Sequence, residues 1–174
     1  REDVAAQAVR HVVGEAHRLV LVLEGDGDEA LVAHVAARIL LTLKAARTPT
    51  IVEEVLGFAA TSLDLPIAQM VKDTKRPTAR EITSVAKRLA SRPIPETEHH
   101  RRLAQLCTTL DLDATDLAIL ASFALQYRGR MLRQLLNVAA LPERFLTIRT
   151  VALISGLGAG EVEQRLSSHG QLVG

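Results

Sequence analysis

Residues 117–125 read LAILASFAL, a run in which Ser122 is the only polar residue. A helix that is apolar on every side belongs in a protein interior, because no face of it is suited to water. The run therefore predicts the central, buried helix of a C-terminal core. Asp113 or Thr115, just before the run, has the kind of side chain that caps the first turn of a helix.

Helical spacing of apolar residues continues on both sides of this run. On its N-terminal side, a helix over about 96–110 carries an apolar face that includes Cys107. On its C-terminal side we predict a helix with an apolar face and then, after Pro142, two short helices separated by glycines. The first of these faces consists of Leu103, Leu106, Cys107 and Leu110, and the second of Leu132, Leu135, Leu136 and Val138. The two short helices cover about 149–156 and 160–168, and His169-Gly170 is a typical helix stop.

The N-terminal half is also predicted to be helical, with residues 19–23 fitting either a helix or a strand. In a capping box, a Ser or Thr and a Glu three positions later satisfy each other's backbone amides. Such boxes start at Thr50 and Thr78, and Pro66 follows Asp64 as a proline just inside a helix does. The predicted helices cover about 2–17, 28–46 and 50–60, one that runs from Pro66 to Lys75, and one after Thr78 with the stripe Ile82, Val85 and Leu89.

Two prolines in the segment Ser91–Pro95 mark the best candidate for a division of the chain. We place an N-terminal helical subdomain at 1–92 and a C-terminal helical subdomain at 96–174, and leave open whether the two share one core. Long alternating strand patterns are absent from the sequence. The predicted fold class is all-α, a multi-helix bundle in two halves whose C-terminal end has helix-turn-helix-like geometry.

The composition narrows the class of protein. The 174 residues include 21 Lys and Arg and 20 Asp and Glu, a formal net charge of +1, whereas a dedicated nucleic-acid-binding protein is usually strongly basic. Cys107 is the only cysteine, which excludes an intrachain disulfide and a four-cysteine zinc site and suits a reducing, cytoplasmic setting. The sequence has no signal-peptide pattern and no apolar run near the roughly 18 residues of a membrane span, so no membrane association is expected.

Three stretches hold residues capable of chemistry, and each has a simpler structural interpretation. The acidic loop 24–29 fits an EF-hand in neither register, because the required Gly and Glu positions are missing, so we interpret it as a solvated turn. His99 and His100 are neighbours that point about 100° apart on a helix, an arrangement that cannot easily hold one metal ion. Cys107 lies on an apolar stripe, as a small hydrophobic residue does. We therefore assign no catalytic, cofactor-binding or metal-binding residue.

Residues 150–173 have the order of a helix-turn-helix that leads into a wing, and its second helix would enter the DNA major groove. The glycines at its turn lack the Lys and Ser or Thr of a phosphate-binding loop. The second helix would present two carboxylates and one cation, which suits packing or a protein contact better than DNA. These candidate reading residues are Glu161, Glu163, Gln164, Arg165 and Ser167.

A basic stretch runs through the middle of the chain, and its only acids are Asp73 and Glu81. Such a stretch suits a nucleic acid or an acidic partner. No aromatic residue is interleaved for base stacking, so a solvated helix face is the simplest interpretation. Its cations are Lys72, Lys75, Arg76, Arg80, Lys87, Arg88 and Arg92.

The C-terminal half starts with LDLDATDLAIL at 110–120 and ends with VEQRL at 162–166 and GQLV at 170–173. In these features residues 96–174 resemble the helical, partly winged-helix-like region that precedes the ATPase module in some bacterial AAA+ proteins. The resemblance implies a module that recognises partners or regulates a following ATPase. That family's phosphate-binding, metal-positioning and arginine-finger residues belong to the ATPase module, and none has a counterpart here.

Our leading hypothesis is a non-catalytic accessory domain of a larger bacterial ATPase. It would act by contact with a protein partner or with the chain's own downstream ATPase module, in an oligomer where the full-length protein forms one. The chain begins with Arg1, and we interpret it as part of a longer protein. One alternative is a DNA-binding transcriptional regulator that uses residues 150–173. A second alternative is a small helical enzyme built on the polar face of His99 and His100.

Overall fold

The computed structural model describes residues 27–46, 49–96, 98–139 and 147–167 of the chain. All regular structure in these residues is helical, as predicted, and none of them lies in a strand. The helices of the described residues are α1 Gly27–Ala46, α2 Pro49–Ser62, α3 Ile67–Met70, α4 Ala79–Ala90, α5 Glu98–Thr109, α6 Ala114–Arg128, α7 Arg130–Val138, α8 Ile148–Ser155 and α9 Ala159–Leu166. No helix among these is both long and apolar enough to cross a membrane.

The larger core forms around α1, whose main neighbour is α4. The predicted stripe of α4, Ile82, Val85 and Leu89, is buried in this core, while the opposite side of the helix carries its charges. Each such aliphatic side chain contributes about 1.5–3 kcal/mol when it is fully removed from water. The burial of one face of α4 therefore explains why a helix of mostly polar sequence is stable here.

The start of α4 confirms the predicted capping box. Thr78 Oγ1 accepts a hydrogen bond from the amide of Glu81 at 3.2 Å, and Glu81 Oε2 accepts one from the amide of Thr78 at 2.7 Å. These two bonds satisfy amide groups that have no partner within the helix. The first turn of α4 is therefore held by residues that are local in sequence.

The two sides of the Pro93–Pro95 segment contribute to the same core. Leu132, Leu135 and Leu136 of α7 are buried together with residues of α1 and α2. Arg38 of α1 donates hydrogen bonds to the carbonyl oxygens of Leu153 and Ile154, at 3.0 and 2.7 Å. Carbonyls in the last turn of a helix have no partner within it, so Arg38 also completes the end of α8.

A smaller core holds the C-terminal helices together. Ile119 of α6, Val151 of α8 and Val162 of α9 are fully buried against one another. Partly buried residues from the same helices and from the α8–α9 turn pack around them, namely Phe123, Ile148, Ala152, Leu157 and Leu166. The helix pair α8–α9 therefore has an apolar core with α6 that is separate from the larger one.

The prediction that 117–125 is buried on all sides is wrong. Among the side chains of α6 that the structure describes, those of residues 114–125, the buried ones are Asp116, Ile119, Ser122 and Leu125, and the residues between them are only half-buried. Positions three apart on a helix form a stripe that winds slowly around it, because each step turns the side chain by about 300°. The neighbours of α6 cover this stripe and leave the rest of its surface partly open to water.

Two predicted helix starts also need correction. Thr50 lies inside α2 rather than before it, because the helix includes Pro49, and a proline in the first turn sacrifices no hydrogen bond. Pro66 directly precedes α3 rather than lying inside it, with a non-helical ψ of 64°. Asp64 has a φ of 49°, in the left-handed region, and does not cap this helix. α3 ends at Met70, well before Lys75.

Most other predicted helices are confirmed within a residue or two, and Asp113 caps α6 as one of the two predicted caps. The last predicted helix, about 160–168, begins one residue earlier, at Ala159. Some predictions fall outside the described residues and stay predictions. They concern 2–17, 19–23, the acidic loop up to Asp26, Pro142, the stop at His169-Gly170 and the wing at 171–173.

The turn between α8 and α9 supplies a first testable prediction. Gly156 has a φ of 79°, and a Cβ there would lie 2.7 Å from the Arg38 guanidinium. We expect Gly156→Ala to lower the free energy of unfolding by about 1–2 kcal/mol, because a left-handed residue with a side chain is strained. Displacement of Arg38 from its two carbonyl partners adds to this loss. Urea denaturation followed by circular dichroism measures the change.

Gly57→Ala is the matched control. Gly57 lies inside α2, and a Cβ there would have no neighbour within 4 Å. Because alanine favours the helix over glycine, we expect this variant to be more stable than the wild type by about 0.5–1 kcal/mol. A Gly156→Ala chain at least as stable as the wild type would contradict the left-handed backbone of Gly156.

Candidate functional site

A basic groove lies where the C-terminal end of α1 meets the N-terminal end of α4 and the start of α2. It consists of two adjoining depressions of about 380 and 400 Å³ that share Lys44 and Ala79. Its floor is apolar, with Leu43, Val52 and Ile82 among the lining residues. Its cationic residues come from three segments of the chain, namely Lys44, Lys75, Arg76, Arg80 and Lys87.

The charge of this groove is unbalanced. None of the described residues that line it is acidic. Within the described part of the chain, no carboxylate forms an ion pair with any of the five cations. Like charges held together without counter-charges raise the local positive potential, which attracts anionic groups from solution. The groove therefore brings together five described cations that form no ion pair with a described carboxylate.

Local structure explains why Arg80 faces the groove and Glu81 does not. The capping box holds the Glu81 carboxylate against the Thr78 amide, and its other oxygen accepts a hydrogen bond from the amide of Lys72 at 3.0 Å. The hydrogen bond from Lys72, followed by those from Thr78, lowers the pKa of Glu81 to about 2. The one carboxylate of the first turn of α4 is thus engaged beside the groove rather than inside it.

The pKa of Glu81 predicts an acid-sensitive helix start. A carboxyl whose pKa is lower in the folded chain than its ordinary value of 4.5 stabilises the fold above that value. This contribution is lost as the pH falls from about 4.5 toward about 2. We expect Glu81→Gln to be less stable than the wild type at neutral pH, and the difference to shrink over this interval. Thermal unfolding across a pH series measures it.

The matched control for this prediction is Glu163→Gln on the exposed side of α9, where the carboxylate has no hydrogen-bond partner among the described residues. We expect this variant to follow the wild type at each pH. If Glu81→Gln and the wild type lost stability in parallel as the pH fell, the hydrogen bonds to Glu81 would not be the cause.

The candidate DNA-reading helix is α9, and two of its named side chains are engaged within the chain. Arg165 forms ion pairs with Asp113 and with the buried carboxylate of Asp116, the latter at 3.4 Å. Glu161 accepts a hydrogen bond from Thr115 Oγ1 at 3.3 Å. Because Arg165 is the only basic residue of α9, the helix has no unpaired cation to offer a phosphate backbone. Glu163, Gln164 and Ser167 are exposed.

The carboxylates of Asp113 and Asp116, which pair with Arg165, also act on the thiol of Cys107. Burial, and then the carboxylates of Asp116 and Asp113, raise the pKa of Cys107. The amide of Asp116, more than any other group, lowers the pKa of Asp113, and Arg165 adds to the effect. A thiol is nucleophilic as its thiolate, so these surroundings suppress rather than promote reactivity. Cys107 is buried, as its place on an apolar stripe predicts.

The other residues that the sequence analysis considered for a site, among them His99, His100 and Arg92, are not brought together in one place by the described structure. His100 is exposed on α5, and the side chain of His99 lies outside what the structure describes. In the described ranges, no group of three His, Cys, Asp or Glu residues is placed to hold a metal ion. Arg92, the last cation of the basic stretch, lies away from the groove, where it pairs with Glu29 at 2.7 Å and donates to the carbonyl of Leu63.

Four cations of the groove come from the predicted basic stretch, and the fifth was missed. The sequence predicts only that Lys44 lies in a helix, because the residues around it suggest no binding site. It reaches the groove because α1 packs along α4, where its Nζ donates a hydrogen bond to Thr83 Oγ1 at 2.9 Å. Comparison with family models, curated proteins and solved structures finds no match to this chain.

Proposed function

We propose that this chain is a non-catalytic helical accessory domain that binds a protein partner through the basic groove, and that the partner contributes an acidic segment. The observation that carries the proposal is the convergence of five cations from three segments on a groove whose described lining contains no acid. Opposite charges attract over long range, so such a surface selects an acidic partner and speeds its association.

The binding free energy of the partner segment has an ionic and an apolar contribution. An ion pair between exposed groups contributes about 0.2–1 kcal/mol, so five of them supply at most about 5 kcal/mol. A micromolar complex needs about 8 kcal/mol. The rest comes from contact with the accessible apolar residues that line the groove, namely Leu43, Pro49, Pro77 and Ala79. The partner segment is therefore amphipathic, with acidic residues beside apolar ones.

The resemblance to the region before an AAA+ ATPase module supplies one candidate for the partner. In that case the acidic segment belongs to the ATPase module of the same protein, and the groove regulates or positions it. The single cysteine fits the cytoplasmic setting that this proposal implies. The open reading frame of the full gene tests this part, because a phosphate-binding loop encoded downstream would support it.

The groove itself is tested with a fluorescently labelled acidic peptide of about 15 residues, rich in Glu and Leu, a length near the minimum for a stable helix. Fluorescence anisotropy measures its affinity for the wild type and for the Lys44→Glu/Arg80→Glu double variant. We expect the double variant to bind at least about tenfold more weakly, and added salt to weaken wild-type binding. The charge-matched control is Arg130→Glu/Arg133→Glu, at two exposed positions on α7 outside the groove.

Two outcomes would overturn the proposal. The first is a peptide affinity that is the same in the double variant and in the wild type. The second is binding of a DNA duplex that is tighter than peptide binding and lost in the double variant, which would make the groove a nucleic-acid surface. Duplex binding that survives the double variant would instead favour residues 150–173 as the reader.

A further inference from the structure

The loop between α3 and α4, residues 71–78, supplies two of the five cations of the basic groove. Lys75 and Arg76 both line the groove, and both are exposed. The other three cations lie in helices, whereas these two have no helical backbone to fix their position. A loop that has to be ordered at the moment of binding weakens the complex. The contribution of these two cations therefore depends on what holds the loop.

One carboxylate, that of Glu81, is bonded to both ends of this loop. Its Oε1 accepts a hydrogen bond from the amide of Lys72 at 3.0 Å, and its Oε2 accepts one from the amide of Thr78 at 2.7 Å. Hydrogen bonds to an ionised group are about twice as strong as those between neutral groups. Lys75 and Arg76 lie between the two bonded amides, so Glu81 closes the segment that carries both cations.

The middle of the loop is ordered by a turn of its own. Asp73 Oδ1 accepts a hydrogen bond from the amide of Lys75 at 3.0 Å, and the carbonyl oxygen of Asp73 accepts one from the amide of Arg76 at 3.1 Å. An Asp side chain that bonds the backbone two residues on is typical of tight turns. This turn sets the local backbone of the two cations, and the bonds to Glu81 hold the turn beside the groove.

We propose that Glu81 is a positioning residue of the basic groove, which holds the α3–α4 loop so that Lys75 and Arg76 meet the acidic segment of the partner. This inference rests on the proposed function and adds a residue that acts through others. The charge of Glu81 by itself opposes an acidic partner, because like charges repel. Its hydrogen bonds to the loop favour the same partner, because a loop that is already ordered costs less to bind.

Glu81→Gln separates these two effects, because they change the affinity in opposite directions. Glutamine has the same shape, but its amide nitrogen donates and cannot accept, so one end of the loop is released. At neutral pH the wild-type carboxyl is ionised, since the hydrogen bonds from Lys72 and then Thr78 lower its pKa to about 2. Loss of charge alone strengthens the binding of an acidic peptide, whereas release of the loop weakens it.

The test uses the labelled Glu- and Leu-rich peptide and fluorescence anisotropy at neutral pH, at a temperature where circular dichroism shows every variant fully folded. We expect Glu81→Gln to bind the peptide at least about threefold more weakly than the wild type. Glu163→Gln, which removes one exposed carboxylate from α9, is the charge-matched control and should bind like the wild type.

Thr78→Ala separates the loop from the helix cap. This variant removes the hydroxyl that accepts from the amide of Glu81 and keeps both amides that donate to the carboxylate. We expect its affinity to lie closer to that of the wild type than to that of Glu81→Gln. A loss in Thr78→Ala as large as that in Glu81→Gln would assign the effect to the start of α4 and overturn the positioning role.

A second measurement asks whether Glu81 acts through the two loop cations. In the Lys75→Ala/Arg76→Ala background the loop has no cation left to position, so the further change Glu81→Gln should no longer weaken binding. Hydrogen exchange followed by nuclear magnetic resonance should be faster at the amide of Lys72 in Glu81→Gln and unchanged in the second half of α4. A merely destabilising change would weaken binding equally in both backgrounds.

Each remaining outcome has a definite meaning. Binding by Glu81→Gln that equals or exceeds that of the wild type would overturn the positioning role, as would an undiminished loss in the Lys75→Ala/Arg76→Ala background. Both results leave the proposed function standing when the wild type binds the peptide and the Lys44→Glu/Arg80→Glu variant does not. A wild-type chain that fails to bind the peptide would overturn the proposed function and this inference together.

Discussion

Replacing Leu136 with Ala is expected to lower the free energy of unfolding of the described fold by about 2–5 kcal/mol, the range for a leucine removed from a well-packed core. Leu136 is 0% exposed and lies in the same core as α1 and α2. Its removal leaves a cavity that α7, fixed by the equally buried Leu132 and Leu135, cannot close without moving. The loss should therefore destabilise helices on both sides of Pro93.

Urea denaturation followed by circular dichroism gives the size of this effect, and hydrogen exchange resolved by peptide mass spectrometry gives its location. We expect α1 and α2 to lose protection together with α7. The control is Leu41→Ala on α1, where the side chain is 48% exposed and the expected change is within about 0.5 kcal/mol. Unaltered protection of α1 in Leu136→Ala would mean that the halves on either side of the prolines fold independently.

The second large effect is expected from Arg165→Ala. This change leaves the carboxylate of Asp116, which is only 2% exposed, without its cationic partner. An ionised group that stays buried without its partner is costly. Because the Arg165 side chain is 38% exposed and partly screened by water, we expect a loss of about 2–3 kcal/mol, below the range for a fully buried pair.

The loss should be concentrated where Arg165 joins α9 to the start of α6. Hydrogen exchange is expected to accelerate in α8 and α9 more than in α4, because α8 and α9 also share the smaller core with Ile119. Arg133→Ala, on the exposed side of α7, is the control and should leave exchange unchanged. An Arg165→Ala chain with the protection and stability of the wild type would show that the ion pair to Asp116 contributes nothing.

A double variant separates the two parts of this cluster. In Asp116→Asn/Arg165→Ala, the buried carboxylate and its cationic partner are both removed, so the penalty of an unpaired charge disappears. We expect the double variant to be more stable than Arg165→Ala alone. The capping bonds that Asp113 accepts from the amides of Thr115 and Asp116, at 2.9 and 3.0 Å, remain available in every one of these variants.

Much of the helical framework follows from local sequence. The capping boxes at Thr78 and at Asp113 join residues three positions apart, and the stripe Ile82, Val85 and Leu89 repeats at helical spacing. The predicted helix start was wrong where the local sequence is compatible with two different starts. Thr50 has the form of a capping residue, but Pro49 allows the helix to begin one residue earlier.

The apolar run at 117–125 shows a different limit. Its composition predicts burial on every side, yet burial requires neighbours, and those of α6 cover a winding stripe only. An apolar composition shows which residues can be buried without cost. Which of them are buried depends on where the neighbouring helices pack. The same limit applies to Arg165, which the sequence offers as a DNA contact and the structure pairs with an acid 52 positions away.

Local patterns in the sequence are enough to predict an all-helical fold, the ends of most described helices, and the apolar faces of α4 and α7. These properties depend on hydrogen bonds and side-chain spacings within a few residues, so they can be read along the chain. Helix packing, by contrast, brings Lys44 to Arg80 and Lys87 in one groove, pairs Arg165 with Asp116, and places α7 in the same core as α1. Each of these depends on how helices cross, and a crossing is set by packing between residues that are distant in sequence.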